Sequence, residues 1–556
     1  MPSKIYRSPL PDIDLVDSDL LTYLFSNNIP ADKPIFIDAL TGRTRTYGDV
    51  ERRTRSLAHA LRNLGVKQHD VVAYYSPNNI DYGICCYAVI GCGAIVSPIS
   101  AASTAPELEA LLDTCGARYL IVHSTLIKTA QEATKRIPQI RIILADGKKD
   151  AHGNATAEQL ATTNPAGQLI AISPQEAKSR IAFLCFSSGT TGRSKGVQTS
   201  HKNMTSNMQQ WQKHIPEDWS SPSINIAFLP FNHIYGLNVY LCLALFTGST
   251  VVVMSRFDLD LYLSSIQKYR PKTLFAVPPV ILMLAKDPRV AKYDLKSVAR
   301  ILSAAAPLSI ELRVALEARF LQTFGTTVNC FQMWGLTETS PFATGMEAKR
   351  IDKKHTVGCI APNMRLRLVD AETMEDVPDT PGMQGEIWCS GPNVTVGYYK
   401  NDEATRDGFT TDENGETWFR TGDVATIDSD GYLTIVDRIK EMIKYKGLQV
   451  IPSELEGKLL QHPYVQDAAV TGMWIEAQAT EVPVGFVVFE AGKLAEVGSA
   501  GMVREIHAWL ATRVANHKRL RGGIIPVDSV PKSASGKILR RQLKEMLKTK
   551  KLDAKL

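Results

Sequence analysis

Short apolar runs, most closed by a turn signal and followed by a helical pattern, do most to narrow the folds open to this chain. VVAYYSPNN, RYLIVHS, IRIILADG, NIAFLP, TVVVM, TLFAVPP, RILSAAAP and TVNCFQM succeed one another along it. Their repetition predicts parallel strands covered by helices in a large α/β body. Between them, YGDVERRTRSLAHALRNLG places Val50, Leu57, Leu61 and Leu64 at helical spacings. Two longer apolar stretches, YGICCYAVIGCGAIVSPI and LCLALFTGSTVVVM, fall short of a membrane span. Each reads as a buried helix leading into a buried strand.

At 556 residues the chain is too long for one modest core, so at least two domains are expected. Near residue 360 the pattern changes. MRLRLVDAETM, GEIWCSGPNVTVGYY, ETWFRTGD and GYLTIVDR read as shorter strands joined by Gly/Asp turns, forming a barrel-like end to the main domain. After Arg438 comes KEMIKYK, then enough strand and helix pattern for a small α+β unit. The boundary is expected close to Asp437–Lys440, dividing the chain into 1–437 and 438–556. The tail KILRRQLKEMLKTKKLDAKL is basic and partly amphipathic, with Leu539, Leu543 and Leu547 on a shared face. A packed terminal helix explains it better than membrane binding.

The net charge of +6, from 63 basic and 57 acidic residues, gives little support to nucleic-acid binding. The nine cysteines contain no CxxC and no metal-ligand spacing, so buried free thiols in a reducing compartment are expected. The N-terminal text lacks the apolar stretch of a secretion signal. The tripeptide Ala554-Lys555-Leu556 differs from the peroxisomal Ser-Lys-Leu by one small residue, which implies an import receptor as partner, with the cytoplasm as the other location.

SSGTTGRSKGV, from Ser187 to Val197, leaves a strand-like run and concentrates glycines, hydroxyls and a lysine. Gly189, Gly192 and Gly196 let backbone N–H groups approach an anion, Thr190, Thr191 and Ser194 add donors beside Ser187 and Ser188, and the Lys195 ammonium adds charge, which suits polyphosphate. An ordinary Gly/Ser surface turn is the other reading. The spacing does not match a Walker A loop, because no Gly-Lys-[Ser/Thr] occurs.

With LPFNHIYGL, SAAAPL, QMWGLTETSP, WFRTGD, GYLTIVDRIKEMIKYKGLQV and PKSASGKILRR following in order, the chain resembles the adenylate-forming superfamily of acyl-CoA synthetases, plant 4-coumarate:CoA ligases and beetle luciferases over about residues 35–545. The coumarate-ligase-like and fungal aryl/acyl-CoA ligases are the nearest in style. The resemblance implies a two-step reaction. ATP and a carboxylate give an acyl-adenylate and pyrophosphate, and coenzyme A then displaces AMP. It implies Mg²⁺ on the phosphates, charge stabilisation where the carboxylate meets the α-phosphorus, and a mobile C-terminal lid domain.

By the same resemblance Lys537 serves adenylation, Asp423 and Arg438 hold the ribose, and Thr337 and Glu338 are the nucleotide-site threonine and the metal carboxylate. Gln332, Trp334 and Gly335 belong to the nucleotide side, with Trp334 able to stack on adenine. His233 lines the acyl-carboxylate site and is not a general base, since a carboxylate is already ionised near neutral pH. Lys440 matches the hinge, Lys444 and Gln449 the thioester-forming arrangement, and Lys446 and Gly447 the coenzyme A site. Read alone, Lys537 is a surface lysine, Asp423 caps a Thr-Gly turn, Arg438 makes a surface ion pair, and Thr337-Glu338 starts a helix.

Departures from coumarate-ligase text bear on the acid. Ala304 and Met333 each replace a glycine, and with Tyr235 and Pro341 they point to an apolar acyl group. Aryl and arylalkanoic acids are favoured over medium-chain fatty acids, with a stand-alone enzyme loading a carrier protein as another alternative. A Met333 turned into the core would say nothing about substrate.

Overall fold

A computed structural model describes residues 4–147, 154–187, 194–216, 219–220, 222–380, 382–446, 448–478, 480–533 and 536–553. The expected runs form strands in two largely parallel assemblies. One sheet runs in the order 141–144, 119–122, 71–75, 95–99, 181–187, 195–200, with only the last strand antiparallel. The other contains the parallel strands 224–227, 250–253 and 34–38, and beside it lie the parallel strands 273–276, 300–303 and 329–332. Val71–Tyr75 and Ile95–Ile99 are buried at every position, as strands covered on both faces must be.

The helix Tyr82–Gly91, buried along its whole length, accounts for the first long apolar stretch. In the second, Leu237–Leu243 forms a short π-helix that continues into Ala244–Thr247 and the strand Thr250–Val253. Helix Tyr47–Asn63 starts on a capping box between Thr46 and Asp49 and buries Val50, Leu57 and Leu61.

The later strands form an antiparallel half-barrel sheet built from 365–369, 385–390, 417–427, 409–411 and 433–438, with Tyr6–Arg7 on its edge. One detail differs from the sequence reading. Thr421-Gly422 is not a turn that ends a strand, because Thr417–Ile427 is continuous. Glu386 faces Val424 and Trp388 faces Arg420, so Ile387 alone stands opposite Thr421, Gly422 and Asp423. The surplus residues form a bulge. Gly422 supplies its left-handed backbone at φ +70° and donates its N–H to Glu386 Oε1 at 2.9 Å.

One apolar core runs from Leu20 to Leu433, and a second, from Ile443 to Ile524, belongs to the C-terminal sheet 465–475, 480–489, 524–526 and its helices. Strand Leu433–Arg438 still pairs within the half-barrel sheet. The terminal helix Arg540–Asp553 packs Leu543 and Leu547 against Ala469, Val484 and Phe486. Leu539 is not on that stripe. It precedes the helix and faces a cavity between the two units. Among the described residues no helix is long and apolar enough to cross a membrane. All nine cysteines are free thiols and buried, as expected.

Candidate active site

A cavity of about 680 Å³ opens where the parallel sheets, the half-barrel and the C-terminal unit meet. Its wall includes Ser187 and Lys195 at the ends of the glycine-hydroxyl loop, His233 and Tyr235, Ala304, and the run from Met333 to Glu338 with Pro341. Arg438 and Lys440 line it at the junction, and Lys537 reaches it from the small unit. Ser188, Gly189, Thr190, Thr191, Gly192, Gly447 and Ala554-Lys555-Leu556 lie outside the described residues.

The bulge explains how Asp423 is aimed. Its backbone sits opposite Arg438, its Oδ1 pairs with Arg438 Nε at 2.7 Å, and its Oδ2 accepts the Trp334 indole N–H at 2.8 Å. Asp423 is thus 3% exposed and stands just behind the cavity wall, with Trp334 and Arg438 in front of it.

Trp334 and Gly335 begin a run that doubles back on itself. A Cβ on Gly335 would lie 1.9 Å from the Pro341 carbonyl oxygen, so only glycine lets the chain return this closely. The returning loop carries Thr337 and Glu338 on a 3₁₀ turn, and three buried amides hold its carbonyls. Asn207 donates to Phe342 O at 2.8 Å, Asn238 to Ser340 O at 2.6 Å, and Asn393 to Thr339 O at 2.9 Å. Sequence reasoning missed these amides: Asn207 lies in a polar helix, Asn238 in apolar helix text and Asn393 in a loop. It also missed Tyr398, whose hydroxyl donates to Glu338 Oε1 at 2.9 Å, and Trp211, which stacks on Phe342 with ring centres 4.8 Å apart.

His233 accepts the Tyr235 N–H on Nδ1 at 3.3 Å. Burial, and then the Lys537 ammonium, push its pKa down to about 4, so the imidazole facing the cavity is neutral. Burial also lowers the Lys537 pKa, followed by the effect of Arg438, while Glu441 and Asp423 oppose them. The Lys537 loop is tight. Ser533 N donates to the Lys537 carbonyl at 2.8 Å, and Lys537 N donates to Ser533 Oγ at 3.1 Å. Behind it, Arg540 pairs with Glu441 at 2.7 Å and also with Glu456.

Met333 faces the cavity and is 6% exposed, so it is not turned wholly into the core. Gln332 is elsewhere, its Oε1 taken by Leu308 N at 2.8 Å. Lys444 and Gln449 face each other across the hairpin 443–445/448–450, exposed and off the cavity wall. Lys446 follows on the same hairpin, also exposed.

For a divalent cation the donor set is sparse: among the described residues no cluster of three or more His, Cys, Asp or Glu side chains could hold a metal. Two buried carboxylates line the cavity; Glu386 accepts Gly422 N and the Trp388 indole N–H, and Glu338, with one oxygen on the Tyr398 hydroxyl, fits Mg²⁺, which keeps water and substrate phosphates as most of its ligands.

Residues 26–399 match the family model described as AMP-binding enzyme, and residues 454–537 match the AMP-binding enzyme C-terminal domain. The chain belongs to the AMP-binding enzyme family. Among its relatives, a protein of Oryza sativa subsp. japonica named 4-coumarate--CoA ligase-like 9 is 36% identical over 97% of this chain and 95% of its own length. Arabidopsis thaliana has one named Peroxisomal OPC-8:0-CoA ligase 1, 33% identical over 97% and 94%. A benzoate CoA ligase from Burkholderia xenovorans LB400 superimposes with a TM-score of 0.80 at 26% identity, over 95% of this chain and 99% of its own. As an AMP-binding enzyme of the adenylate-forming type, the chain carries both parts of the family's architecture, and the cavity lies between them.

Proposed function

We propose that this enzyme is an ATP-dependent acyl-CoA ligase acting on a compact, apolar acid, with aryl and arylalkanoic acids favoured. The observation that carries the reading is the Lys537 amine of the small unit lining the same cavity as Lys195, Thr337, Glu338 and His233. An acid carboxylate enters beside neutral His233, which needs to remove no proton. Lys195 and the hydroxyl-rich loop take the phosphates of ATP, and Arg438, held from behind by Asp423, faces the ribose, which Asp423 itself reaches only as its Trp334 bond yields. Lys537 bridges the carboxylate oxygen and the α-phosphate as the first attacks the second and pyrophosphate departs. Mg²⁺ at Glu338, when bound, neutralises phosphate charge.

For the second step the small domain turns about Lys440. Lys537 leaves, and the hairpin carrying Lys444, Lys446 and Gln449 takes its place. Coenzyme A thiolate then attacks the acyl carbon and AMP departs. The hairpin's position away from the cavity is what such an exchange requires at the adenylation stage. The acid preference is supported by Met333, Ala304 and Pro341 in the wall, by the Trp211–Phe342 stack, and by relatives named for 4-coumarate and benzoate. Peroxisomal delivery through Ala554-Lys555-Leu556 belongs to the same reading, since the Arabidopsis relative is itself named peroxisomal. A tagged protein lacking the tripeptide should stay cytosolic.

The test is acid-dependent pyrophosphate release across carboxylates graded by size, followed by thioester formation on adding coenzyme A. Activity confined to long-chain fatty acids would overturn the compact pocket. Adenylate without thioester would move the reading to carrier-protein loading.

A further inference from the structure

Tyr398 stands where three parts of the phosphate side meet. Its segment is stitched to the strand that follows the glycine-hydroxyl loop, with Tyr399 N donating to Gly196 O at 2.8 Å and Gln198 N to Gly397 O at 3.0 Å. On its other side, Thr395 N donates to the Glu338 carbonyl at 2.9 Å. The Tyr398 side chain then makes one contact in each direction. Lys195 Nζ lies 4.7 Å from its ring centre, and its hydroxyl donates to Glu338 Oε1 at 2.9 Å. The residue is 6% exposed and lines the cavity. A phenol is protonated near neutral pH, so this hydroxyl is a donor.

We propose that Tyr398 is a positioning residue for the nucleotide step: its ring seats the Lys195 ammonium and its hydroxyl aims the Glu338 carboxylate, presetting the phosphate side before ATP arrives. The inference rests on the adenylation reading above. Lys195 and Glu338 bring opposite charges to one wall, where a direct ion pair between them would occupy the phosphate side. Tyr398 stands between them, giving the cation a π face and the anion a proton donor. It thereby holds one Glu338 oxygen while leaving the other for the metal.

Tyr398 also packs with Val197, Ala404 and Phe409, so a purely space-filling role must be separated from positioning. Tyr398→Phe keeps the ring, the packing and the Lys195 contact and removes only the O–H. Tyr398→Leu removes the ring as well. ATP binding is measured by calorimetry without acid, with and without Mg²⁺. Alongside it, pyrophosphate release is compared with thioester formation from supplied acyl-adenylate.

Tyr398→Phe should keep wild-type affinity for metal-free ATP and lose most of the gain that Mg²⁺ confers. Its kcat for pyrophosphate release should fall by about tenfold to a hundredfold, the effect of losing one hydrogen bond to a charged group. KM for the acid and the thioester half-reaction should not change. Tyr398→Leu should in addition weaken metal-free ATP binding, as Lys195 loses its seat. A Tyr398→Phe enzyme with wild-type kcat and wild-type Mg²⁺ dependence, or one slowed equally in both half-reactions, would overturn the proposal. If the wild-type protein releases no pyrophosphate with any carboxylate, the adenylation reading fails, and the calorimetric arm still decides the role of Tyr398.

Discussion

Gly536→Ala separates the closing of the small domain from its folding. Gly536 has φ +81°, and a Cβ there would lie 3.0 Å from Pro279 Cδ and 3.3 Å from Val277 Cγ2, both on the large body. Two costs follow. The left-handed backbone costs alanine about 1–2 kcal/mol, and that strain stays with the loop in any orientation of its domain. On the proposed rotation of the small domain, the clash with Pro279 exists only when Lys537 is in the cavity. Taking about 1.5 kcal/mol, from the lower part of the overpacking range, lowers the closed population roughly tenfold. Gly523→Ala is the control: at φ +84° with nothing within 4 Å of a Cβ, it carries the first cost alone. Pyrophosphate release and thioester formation from supplied acyl-adenylate would be measured on both variants, with denaturant unfolding in parallel. Both should be destabilised, and Gly536→Ala alone should show slowed pyrophosphate release with an intact second half-reaction. Wild-type release by Gly536→Ala, or equal slowing of both half-reactions in both variants, refutes the reasoning.

Lys537→Ala should lower pyrophosphate release by roughly 10²–10³-fold, with much less effect on the conversion of supplied adenylate to thioester. Lys440→Pro should leave adenylation nearly intact and impair overall turnover, because a locked φ opposes rotation there; normal steady-state thioester synthesis would count against the hinge. His233, held at about 4, should show no NMR titration near pH 6.5 and should place no break in the rate profile between pH 5 and 8. Because its folded pKa lies below the unfolded value, the unfolded chain binds the proton first. Its contribution to stability is full above pH 6.5 and is lost as pH falls towards 4, by about 3 kcal/mol at most. Buried Asp437, raised to about 6, acts with the opposite sign, so the measurement is the difference between wild type and His233→Asn unfolding curves. Met333→Ala should raise the preference for bulkier acids over small ones by about tenfold in kcat/KM, and an unaltered acid profile would remove Met333 from the acyl pocket.

The fold was legible because its strands are unbroken apolar runs such as VVAYY and TVVV, whose burial on both faces leaves little choice of architecture. The site was legible where glycine, lysine and acidic residues crowd into short segments. What escaped was set by partners distant in sequence. Nothing local in TWFRTGDVATI shows that Ile387 stands against three residues and turns a turn-like Thr-Gly into a bulge that aims Asp423. Asn207, Asn238 and Asn393 look unplaced until each finds a carbonyl of the same distant loop. Leu539 shares the helical spacing of Leu543, yet the chain becomes helical only at Arg540. Gln332 lies beside Met333 and Trp334, but its amide serves Leu308.

A mixed anhydride of an acid and AMP would acylate any accessible sulfur that met it. Every cysteine of this chain is shut inside the protein and none lines the cavity. Burial drives thiols such as Cys115 and Cys185 up to about 11 and 12, far from the nucleophilic thiolate. The enzyme therefore offers its own reactive product no competing thiol, and the activated acyl group waits for the sulfur that the coenzyme brings.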